Sequence, residues 1–438
     1  MKKYNEYKDS GIEWLGLLPS DWESIRIDWC SEMVRGNTAL KKDELLPEGD
    51  YIALQYGKTY KVDEVDNKFQ FYVNKELYKK GQLVNFGDTI LISTSETLED
   101  LGHSCFYNRI DLGLLGGEQI LLQPKSKIII EKYLFFYSKF FCLELRKYAT
   151  GLKVFRFNID DLKNIFIPIP PLKEQTQIAN YLDAKTTLID KKVSLLQQKI
   201  KHYKAYRKSL INETVTKGLD KSVIFKDSGI DWIGEIPENW EVKRLKDVSK
   251  IFTGNSISDK SMFETKKDSF DYIATKDINI HNKKVNYDNG VYIPKKDKSF
   301  KITKKNTSLI CLEGASAGNK LTFVDKEVAF VNKLCAIKSS NKNVFDKYIF
   351  YQLQSNLFRN QFFELLSGLI GGVSLGLLKY FNVVIPSKTE QQQIANYLDN
   401  KTATIDKIVN NIETQINTLK ELRKTLINEV VTGKVKVS

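Results

Sequence analysis

The sequence has few of the residues that metal sites and disulfide-stapled domains require. Among 438 residues there are five cysteines and three histidines, and no two cysteines form a C-x-x-C pair. The closest pairing of a thiol with an imidazole, His103-Ser-Cys105, lacks the further ligands of a tetrahedral zinc site. We therefore predict no metal site, and we expect the cysteines to be buried and reduced.

Long apolar runs are also missing. The first residues contain no signal-like apolar stretch, and the most apolar segment, residues 133–145, is short and interrupted by Lys139. Apolar residues make up 42% and charged residues 28% of the chain, which is ordinary globular usage. These features predict a folded, cytoplasmic protein without a membrane span.

Catalytic signatures are absent as well. The sequence contains no G-x-S-x-G, no H-E-x-x-H, no Asn-Pro-Pro-Tyr or Asp-Pro-Pro-Tyr methyltransferase motif, and no G-x-G-x-x-G after a predicted strand. Residues Gly314–Lys320 resemble a P-loop superficially, but their spacing is one residue short and no Ser or Thr follows Lys320. We predict no catalytic residue and interpret this segment as a Gly-rich loop between strands.

The charge balance indicates a polyanionic partner. Basic residues outnumber acidic ones, 67 to 54, which gives a net charge of +13. The excess is uneven, because residues 243–320 hold 17 basic and 9 acidic side chains, whereas residues 24–150 hold 17 and 18. Charge alone does not separate DNA from RNA or from an acidic protein.

What the sequence does contain is a long internal repeat. Residues 7–23 recur as residues 225–241, and both copies carry Lys-Asp-Ser-Gly-Ile ahead of a Trp. Residues 174–183 recur as residues 390–399, and both copies carry Gln-Ile-Ala-Asn-Tyr-Leu-Asp. Two matches in the same order and at nearly the same offset indicate a duplicated chain with internal two-fold pseudo-symmetry.

Each repeat ends in a predicted long helix. Apolar residues within 189–210 and 405–426 recur at steps of 4, 3, 4, 3, 3 and 4, which is a coiled-coil seam with one irregularity. A capping box at Ser387–Glu390 and the glycines Gly218 and Gly433 predict helix ends. We predict that the two helices form an antiparallel pair; the alternative is that each helix packs only on its own body.

Several repeated residues on these helices are polar. Polar residues on a solvated face usually diverge between copies, so their identity predicts two equivalent surfaces that engage the same partner twice. The alternative is that some of them only cap a helix or form i,i+4 pairs. The predicted partner-binding residues are Asn180, Asp183, Asp190, Arg207 and Glu213 in the first copy, and Asn396, Asp399, Asp406, Arg423 and Glu429 in the second.

Between the leading segments and the helices lie two bodies, residues 25–168 and 243–385. Runs such as 51–54 with 272–275 and 88–92 with 307–311 predict equivalent strands, and residues 131–148 and 344–366 predict helices. We predict an α/β (α+β) fold with divergent loops that bind different targets. The predicted domains are 1–171 and 219–386, which contain the bodies, and the long helices 172–218 and 387–438.

The loops supply the candidate nucleic-acid contacts. Glycines allow backbone amides to approach phosphates, and Arg and Asn side chains can pair with base edges. The alternatives are that Gly314–Lys320 is an ordinary tight turn, that Phe155 and Phe157 belong to the core, and that most lysines are simply solvated. The candidates are Lys58, Lys61, Arg109, Lys153, Arg156 and Asn158 in the first body, and Lys276, Lys283, Lys284, Gly314, Gly318 and Lys320 in the second.

The arrangement resembles the specificity subunit of type I DNA restriction-modification systems. The resemblance covers nearly the whole chain and rests on the duplicated leading segment, the Ile-Ala-Asn-Tyr-Leu-Asp helices, the two-body plan, and Pro170-Pro171 ahead of Glu174-Gln. Gly314–Lys320 is also similar to a Gly-rich loop of that family. The second copy, Ile385-Pro386 ahead of Glu390-Gln, has Ser387 in place of the second proline, which puts only the helix start in question.

The resemblance implies a non-catalytic subunit of a site-specific deoxyribonuclease and adenine methyltransferase complex. Its bodies would be target-recognition domains that each bind one half of a bipartite, asymmetric sequence in double-stranded DNA, and its helices would set the spacer. It further implies two modification subunits on the helices, two restriction subunits in the same complex, and S-adenosylmethionine, ATP and magnesium on those partners rather than on this chain. A cytoplasmic, nucleoid-associated location in a prokaryote follows from these roles.

Two other classes remain open from the residues. A non-enzymatic coiled-coil scaffold or RNA-binding protein would bind nucleic acid weakly and without regard to sequence. A nuclease or methyltransferase in its own right would need catalytic residues that the sequence does not display.

Overall fold

The computed structural model describes residues 2–230, 233–366 and 371–437. Residues 231 and 232 of the second leading segment lie outside this description. The chain forms two compact units, Met1–Leu195 with Gln415–Ser438, and Leu196–Thr414. Within the described part of the chain, no helix is both long and apolar enough to cross a membrane.

The first unit contains the first leading segment and the first body. Its strands pair into a five-stranded sheet, a four-stranded sheet and smaller ladders. The strands are β1 (Tyr7–Asp9), β2 (Leu17–Pro19), β3 (Glu23–Arg26), β4 (Ser31–Arg35), β5 (Tyr51–Leu54), β6 (Glu64–Val65), β7 (Tyr72–Val73), β8 (Leu83–Val84), β9 (Thr89–Ile92), β10 (Thr94–Ser95), β11 (Ser104–Tyr107), β12 (Gly113–Leu115), β13 (Gln119–Pro124), β14 (Phe155–Arg156) and β15 (Phe166–Ile169). The helices that begin here are α1 (Ile27–Cys30), α2 (Tyr56–Thr59), α3 (Glu131–Leu145), α4 (Ile159–Leu162) and the long α5 (Leu172–Lys217).

The second unit repeats this plan with the second body. Its strands are β16 (Phe225–Asp227), β17 (Glu235–Pro237), β18 (Glu241–Arg244), β19 (Ser249–Thr253), β20 (Ser269–Ile273), β21 (Tyr292–Pro294), β22 (Ile302–Thr303), β23 (Thr307–Cys311), β24 (Leu321–Val324), β25 (Val328–Phe330), β26 (Leu334–Ser339) and β27 (Asn382–Ile385). Its helices are α6 (Leu245–Val248), α7 (Asp346–Gln352), α8 (Asn356–Glu364), α9 (Leu375–Leu378) and the long α10 (Lys388–Val431).

The two bodies share one sheet topology, except that the main sheet of the first has an additional edge strand, β6. The main sheet runs β4-β13-β9-β11-β6 in the first body and β19-β26-β23-β24 in the second. The second sheet runs β7-β5-β12-β8 and β21-β20-β25-β22, and both copies contain a parallel pair, β5 with β12 and β20 with β25. The predicted α/β fold and its two-fold repeat are confirmed.

One predicted helix is wrong in its extent. Residues 344–366 do not form one helix, because α7 ends at Gln352 and α8 begins at Asn356. The hydroxyl of Ser355 accepts a hydrogen bond from the amide of Phe358 at 3.2 Å and so starts a new helix. The apolar pattern continues across this break, so periodicity alone predicts a single helix here.

The long helices begin and end as the repeat predicts. The side chain of Ser387 accepts a hydrogen bond from the amide of Glu390 at 3.3 Å, and the left-handed φ values of Gly218 (79°) and Gly433 (69°) follow the last turns of the helices. The carboxylate of Glu390 does not complete a capping box. It accepts a hydrogen bond from the indole N–H of Trp240 at 3.0 Å instead.

The same indole contact exists in the first unit. Trp22 donates from its indole nitrogen to Glu174 at 3.2 Å, and both indoles, Trp22 and Trp240, are fully buried. The repeated Trp and the repeated Glu thus join each leading segment to the first turn of the following long helix.

Within each unit the two helical segments run antiparallel, as predicted. In the first unit Arg423 Nε lies 3.0 Å from Asp190 Oδ1, and in the second Arg207 Nε lies 3.2 Å from Asp406 Oδ1. These two ion pairs are equivalent under the repeat. The apolar side chains beside them are buried in the body cores as well, so each helix packs both on the other helix and on a body.

The seam has no irregularity. The predicted seam residues Tyr206 and Leu422 are about half exposed, whereas Arg207 and Arg423 are about four-fifths buried. With the arginines in place, the spacing becomes a regular alternation of 4 and 3 from residue 189 to 210 and from 405 to 426. The predicted seam was wrong at Tyr206 and Leu422 because it was built from apolar residues alone.

In each unit an equivalent lysine forms an ion pair between the body and its long helix. Lys132 Nζ on α3 lies 3.0 Å from Asp183 Oδ1, and Lys347 Nζ on α7 lies 3.3 Å from Asp399 Oδ1. Neither lysine was predicted from the sequence, although each directly precedes a tyrosine, Tyr133 or Tyr348, that begins the matching segments 133–136 and 348–351. The predicted helix aspartates therefore have partners within their own unit.

The first unit contains a further group of ion pairs that was not predicted from the sequence. It joins Asp63 to Lys139 and Arg423, and we call it the acidic clamp. Asp63 lies 2.6 Å from Lys139 Nζ and 2.8 Å from Arg423 Nη2. Burial alone would raise the pKa of Asp63, but the charges of Lys139 and Arg423 prevail and lower it to about 2. One carboxylate thus joins a body helix to the long helix α10.

We expect Asp63→Asn to destabilise the protein at neutral pH by about 1–2 kcal/mol, since two cations lose their shared acceptor while the site is still partly open to water. The folded pKa lies below the unfolded value near 3.8, so this stabilisation is present above pH 4 and is lost as the pH falls toward 2. Urea unfolding at pH 7 and pH 3 measures it. The difference between wild type and variant should shrink at pH 3.

A matched control is Asp160→Asn, which removes an exposed carboxylate paired with Lys163 at 2.6 Å. This change should shift the urea midpoint little. Equal midpoint shifts for the two variants at pH 7 would contradict the clamp.

Candidate nucleic-acid interface

The turns of both sheets meet along one edge of the first body. The amide of Gly36 donates to Gln119 O, that of Gly116 to Leu54 O, and that of Gly117 to Thr38 O. The short ladder of β10 with β14 adds residues 150–156 to this edge. We call this set of turns the first loop edge; it comprises residues 36–40, 55–60, 94–97, 116–118 and 150–156.

Two small cavities open at the first loop edge. One is about 360 Å³ and is lined by Asn37, Gln55 and the turn at 116–118. The other is about 340 Å³ and is lined by Tyr60, Ser95 and Val154. Tyr56 and Glu118 line both cavities, and the ring of Tyr56 stacks on that of Tyr60 with centroids 5.6 Å apart. Cavities of this size, lined with amide, hydroxyl and carboxylate groups, suit polar ligands.

The structure brings most first-body candidates to this edge. Lys153 and Arg156 are exposed there, and Lys58 lies in α2 with its ammonium 4.2 Å from the centroid of Phe71. Lys61 is exposed just beyond α2. Asn158 is exposed at the start of α4, where its backbone N–H donates to Asp161 Oδ2 at 2.7 Å.

Two other first-body residues have structural roles. Phe157 is 2% exposed and belongs to the core, as one of the alternatives held. The side chain of Arg109 is 8% exposed, donates to Asp111 at 2.6 Å and donates to the carbonyl of Phe69 at 2.9 Å. These donors of Arg109 are therefore occupied inside the body.

The second body has an equivalent edge. The Gly314 amide donates to Gly371 O, Glu313 bridges to Gly372, and the ammonium of Lys320 donates to Thr275 O at 2.7 Å. Lys333 lies 3.7 Å from Glu313. We call this set the second loop edge; it comprises residues 275–277, 312–320, 331–333 and 371–373.

The Gly-rich loop at this edge is a tight turn. Gly314 and Gly318 have φ values of 83° and 68°, and a Cβ on Gly318 would lie 2.7 Å from the ring of Phe362. The backbone amides that already donate to carbonyls within the body are those of Gly314, Ala317, Gly318, Asn319 and Lys320. These five amides are therefore not free to bind a phosphate.

Cations converge on this turn. Lys283 Nζ donates to Asn319 O at 2.9 Å, and Arg359, which the sequence analysis did not single out, donates to Asn319 Oδ1 at 3.2 Å. Burial, followed by the charges of Arg359 and Arg207, lowers the pKa of Lys283 to about 8. Lys276 and Lys284 are exposed nearby in the chain. A site that crowds like charges in this way favours an anion.

The remaining helix candidates differ in availability. Asn180 and Asn396 are exposed, and within the described ranges their side chains have no hydrogen-bond partner. Glu213 is exposed and lies 2.6 Å from Lys221 Nζ. Glu429 lines a surface groove with Trp14 and Lys434.

All five cysteines are buried and free, as predicted. In the portion of the chain that the structure covers, no group of three or more His, Cys, Asp or Glu side chains could hold a metal ion.

Comparisons with known proteins identify the family. A family model described as the type I restriction modification DNA specificity domain matches residues 19–202 and again residues 237–418. The type I restriction enzyme MjaVIII specificity subunit of Methanocaldococcus jannaschii is 26% identical over 98% of this chain and 97% of its own length. The EcoKI specificity subunit of Escherichia coli K12 is 26% identical over 46% of this chain and 44% of its own.

Solved structures share the fold. A chain from a study of complex assembly and conformational transition in a type I R-M system superposes with a TM-score of 0.74, at 16% identity, over 95% of this chain and 99% of that one. The HsdS subunit of Thermoanaerobacter tengcongensis gives a TM-score of 0.52, at 16% identity, over 95% and 98%. Because the family model matches most of the chain in two copies, this protein belongs to the type I restriction-modification specificity subunits.

Proposed function

We propose that this chain chooses the DNA site for a type I restriction-modification complex. Each body acts as a target-recognition domain for one half of a bipartite, asymmetric sequence in double-stranded DNA. The observation that carries the proposal is that both bodies keep the same pairing of a main and a second sheet while their loop edges differ in sequence. A shared framework with different loops is what two readers of different half-sites require.

In this proposal the long helices have two roles. They hold the bodies at a set spacing, and they present equivalent surfaces, including exposed Asn180 and Asn396, to two modification subunits. The doubled leading segments and helices support the second role, because equal surfaces bind equal partners. Restriction subunits complete the assembly that cleaves DNA.

The chemistry belongs to those partners in this proposal. S-adenosylmethionine is bound by the modification subunits, which methylate adenine, and ATP with magnesium is used by the restriction subunits. This chain supplies binding and orientation and is not itself an enzyme. Its sequence contributes no recognised catalytic motif, which favours this division of labour over a free-standing nuclease or methyltransferase.

The first test is the methylation pattern of genomic DNA in a host that expresses this chain with its modification subunit. We expect methyladenine at one split motif with a fixed spacer, and loss of that methylation when this gene is removed. Long-read sequencing of native DNA measures both. If methylation is unchanged by the removal, this chain does not choose the site, and a scaffold or RNA-binding role becomes the better account.

A second test exchanges one body. Replacing residues 243–385 with the equivalent body of another family member should change one half-site and leave the other unchanged, because each loop edge lies within one body. The same sequencing identifies both half-sites. A change in both half-sites would contradict independent recognition.

A third test lengthens a helix. Four residues inserted after Leu195 add about 6 Å and slightly more than one full turn, so the seam stays almost in phase. We expect the spacer to lengthen by about two base pairs while both half-sites are unchanged. The control is the same insertion after exposed Lys80, which should leave the spacer alone. Retained methylation with an unaltered spacer would exclude the helices as the spacing element.

A further inference from the structure

The two loop edges carry opposite charges at one equivalent position. Residues 116–118 join β12 to β13, and residues 331–333 join β25 to β26. In both bodies this three-residue turn leads from the second sheet into the main sheet. The last residue of the turn is Glu118 in the first body and Lys333 in the second.

Close packing fixes both turns in place. A Cβ on Gly36 would lie 1.9 Å from Gly116 O, and a Cβ on Gly254 would lie 1.8 Å from Phe330 O, so at each turn only a glycine fits against the chain. The amide of Leu312 also donates to Lys333 O at 2.9 Å. A turn held in this way fixes the backbone position from which its side chain extends. Base recognition requires side chains that are positioned in this way.

The backbone of Glu118 is in a strained conformation. Its φ of 64° lies in the left-handed region that favours glycine. Its side chain is exposed and lines both cavities of the first loop edge, and no hydrogen bond or ion pair engages its carboxylate among the residues described. Strained residues of this kind persist at binding sites, where the side chain is needed in that place.

Lys333 is equally available. Half of its side chain is exposed, and its nearest acid is Glu313, itself half exposed, at 3.7 Å. An exposed pair at that distance is weak and easily exchanged for another partner.

We propose that Glu118 and Lys333 are base-reading residues, the first for cytosine and the second for guanine. A carboxylate accepts a hydrogen bond from the N4 amino group of cytosine in the major groove and is repelled by guanine O6 and N7. An ammonium group donates to guanine O6 and N7 and finds no acceptor of that kind on cytosine. This inference rests on the proposed function and adds the bases that each body prefers.

The test uses the complex of the full chain with its modification subunit and a library of synthetic duplexes that contains randomised half-sites. Sequencing of the bound fraction gives the base preference at every position. We expect a fixed cytosine in the half-site of the first body and a fixed guanine in that of the second. Glu118→Gln should reduce discrimination at that cytosine by about 5- to 100-fold and admit adenine, which pairs with an amide side chain.

Each variant controls the other. Lys333→Gln should relax only the guanine in the second half-site, and the unaffected half-site shows in each case that the protein is folded and bound. Glu118→Gly removes the carboxylate and relieves the backbone, so it should abolish the cytosine preference while its melting temperature equals or exceeds that of the wild type.

The outcomes distinguish failure of the base-reading assignment from failure of the proposed function. If the wild type selects a split motif but Glu118→Gln and Lys333→Gln select the same motif, the base-reading assignment is overturned and the proposed function stands. If the wild type selects no motif at all, both fail. A parallel loss of both half-sites in either variant also contradicts the assignment, because it would mark a general role in stability.

Discussion

The arrangement of this protein depends on an ion pair placed inside an apolar helix seam and used twice. Arg423 and Arg207 occupy heptad positions that an apolar side chain would otherwise fill, and each pairs with an aspartate beside the seam, Asp190 or Asp406. A mostly buried arginine needs its carboxylate, because leaving either charge unpaired is costly. Any other register or direction of the helices would separate the charges, so the pairs select the antiparallel alignment in each unit.

That alignment determines where the recognition bodies lie on the helices. Asp183 and Asp399 lie about two turns before the ion-paired aspartates and receive lysines from the bodies. The buried Trp22 and Trp240 contact the first turns of the same helices. The two bodies differ in their other contacts with the long helices. The first uses an acid, Asp63, against Arg423, whereas the second places Lys283 near Arg207 and must tolerate like charges.

Much of this fold was predictable because the chain is duplicated, so its two halves can be compared with each other. The repeat, the α/β bodies, the long helices and their terminal glycines all followed from residues that recur in order. The register of Arg207 and Arg423 did not follow, because a search for apolar periodicity passes over a buried charge. The break at Ser355 was hidden by an apolar pattern on both sides of it. The loop edges depend on contacts between distant turns, and a single sequence does not show which turns meet, so Glu118 and Arg359 gave no signal.

The division of each long helix between two units also bears on how the chain is made. The core of the first unit includes Leu426, Ile427 and Val430, which lie beside Trp22 and Tyr133. These residues leave the ribosome long after the strands that they cover. The first body must therefore wait, with part of its apolar surface exposed, until the second body and the long helix α10 have been made, and contacts of such long sequence separation form slowly. Translation speed and chaperone access during that interval become part of what determines the yield of the folded subunit.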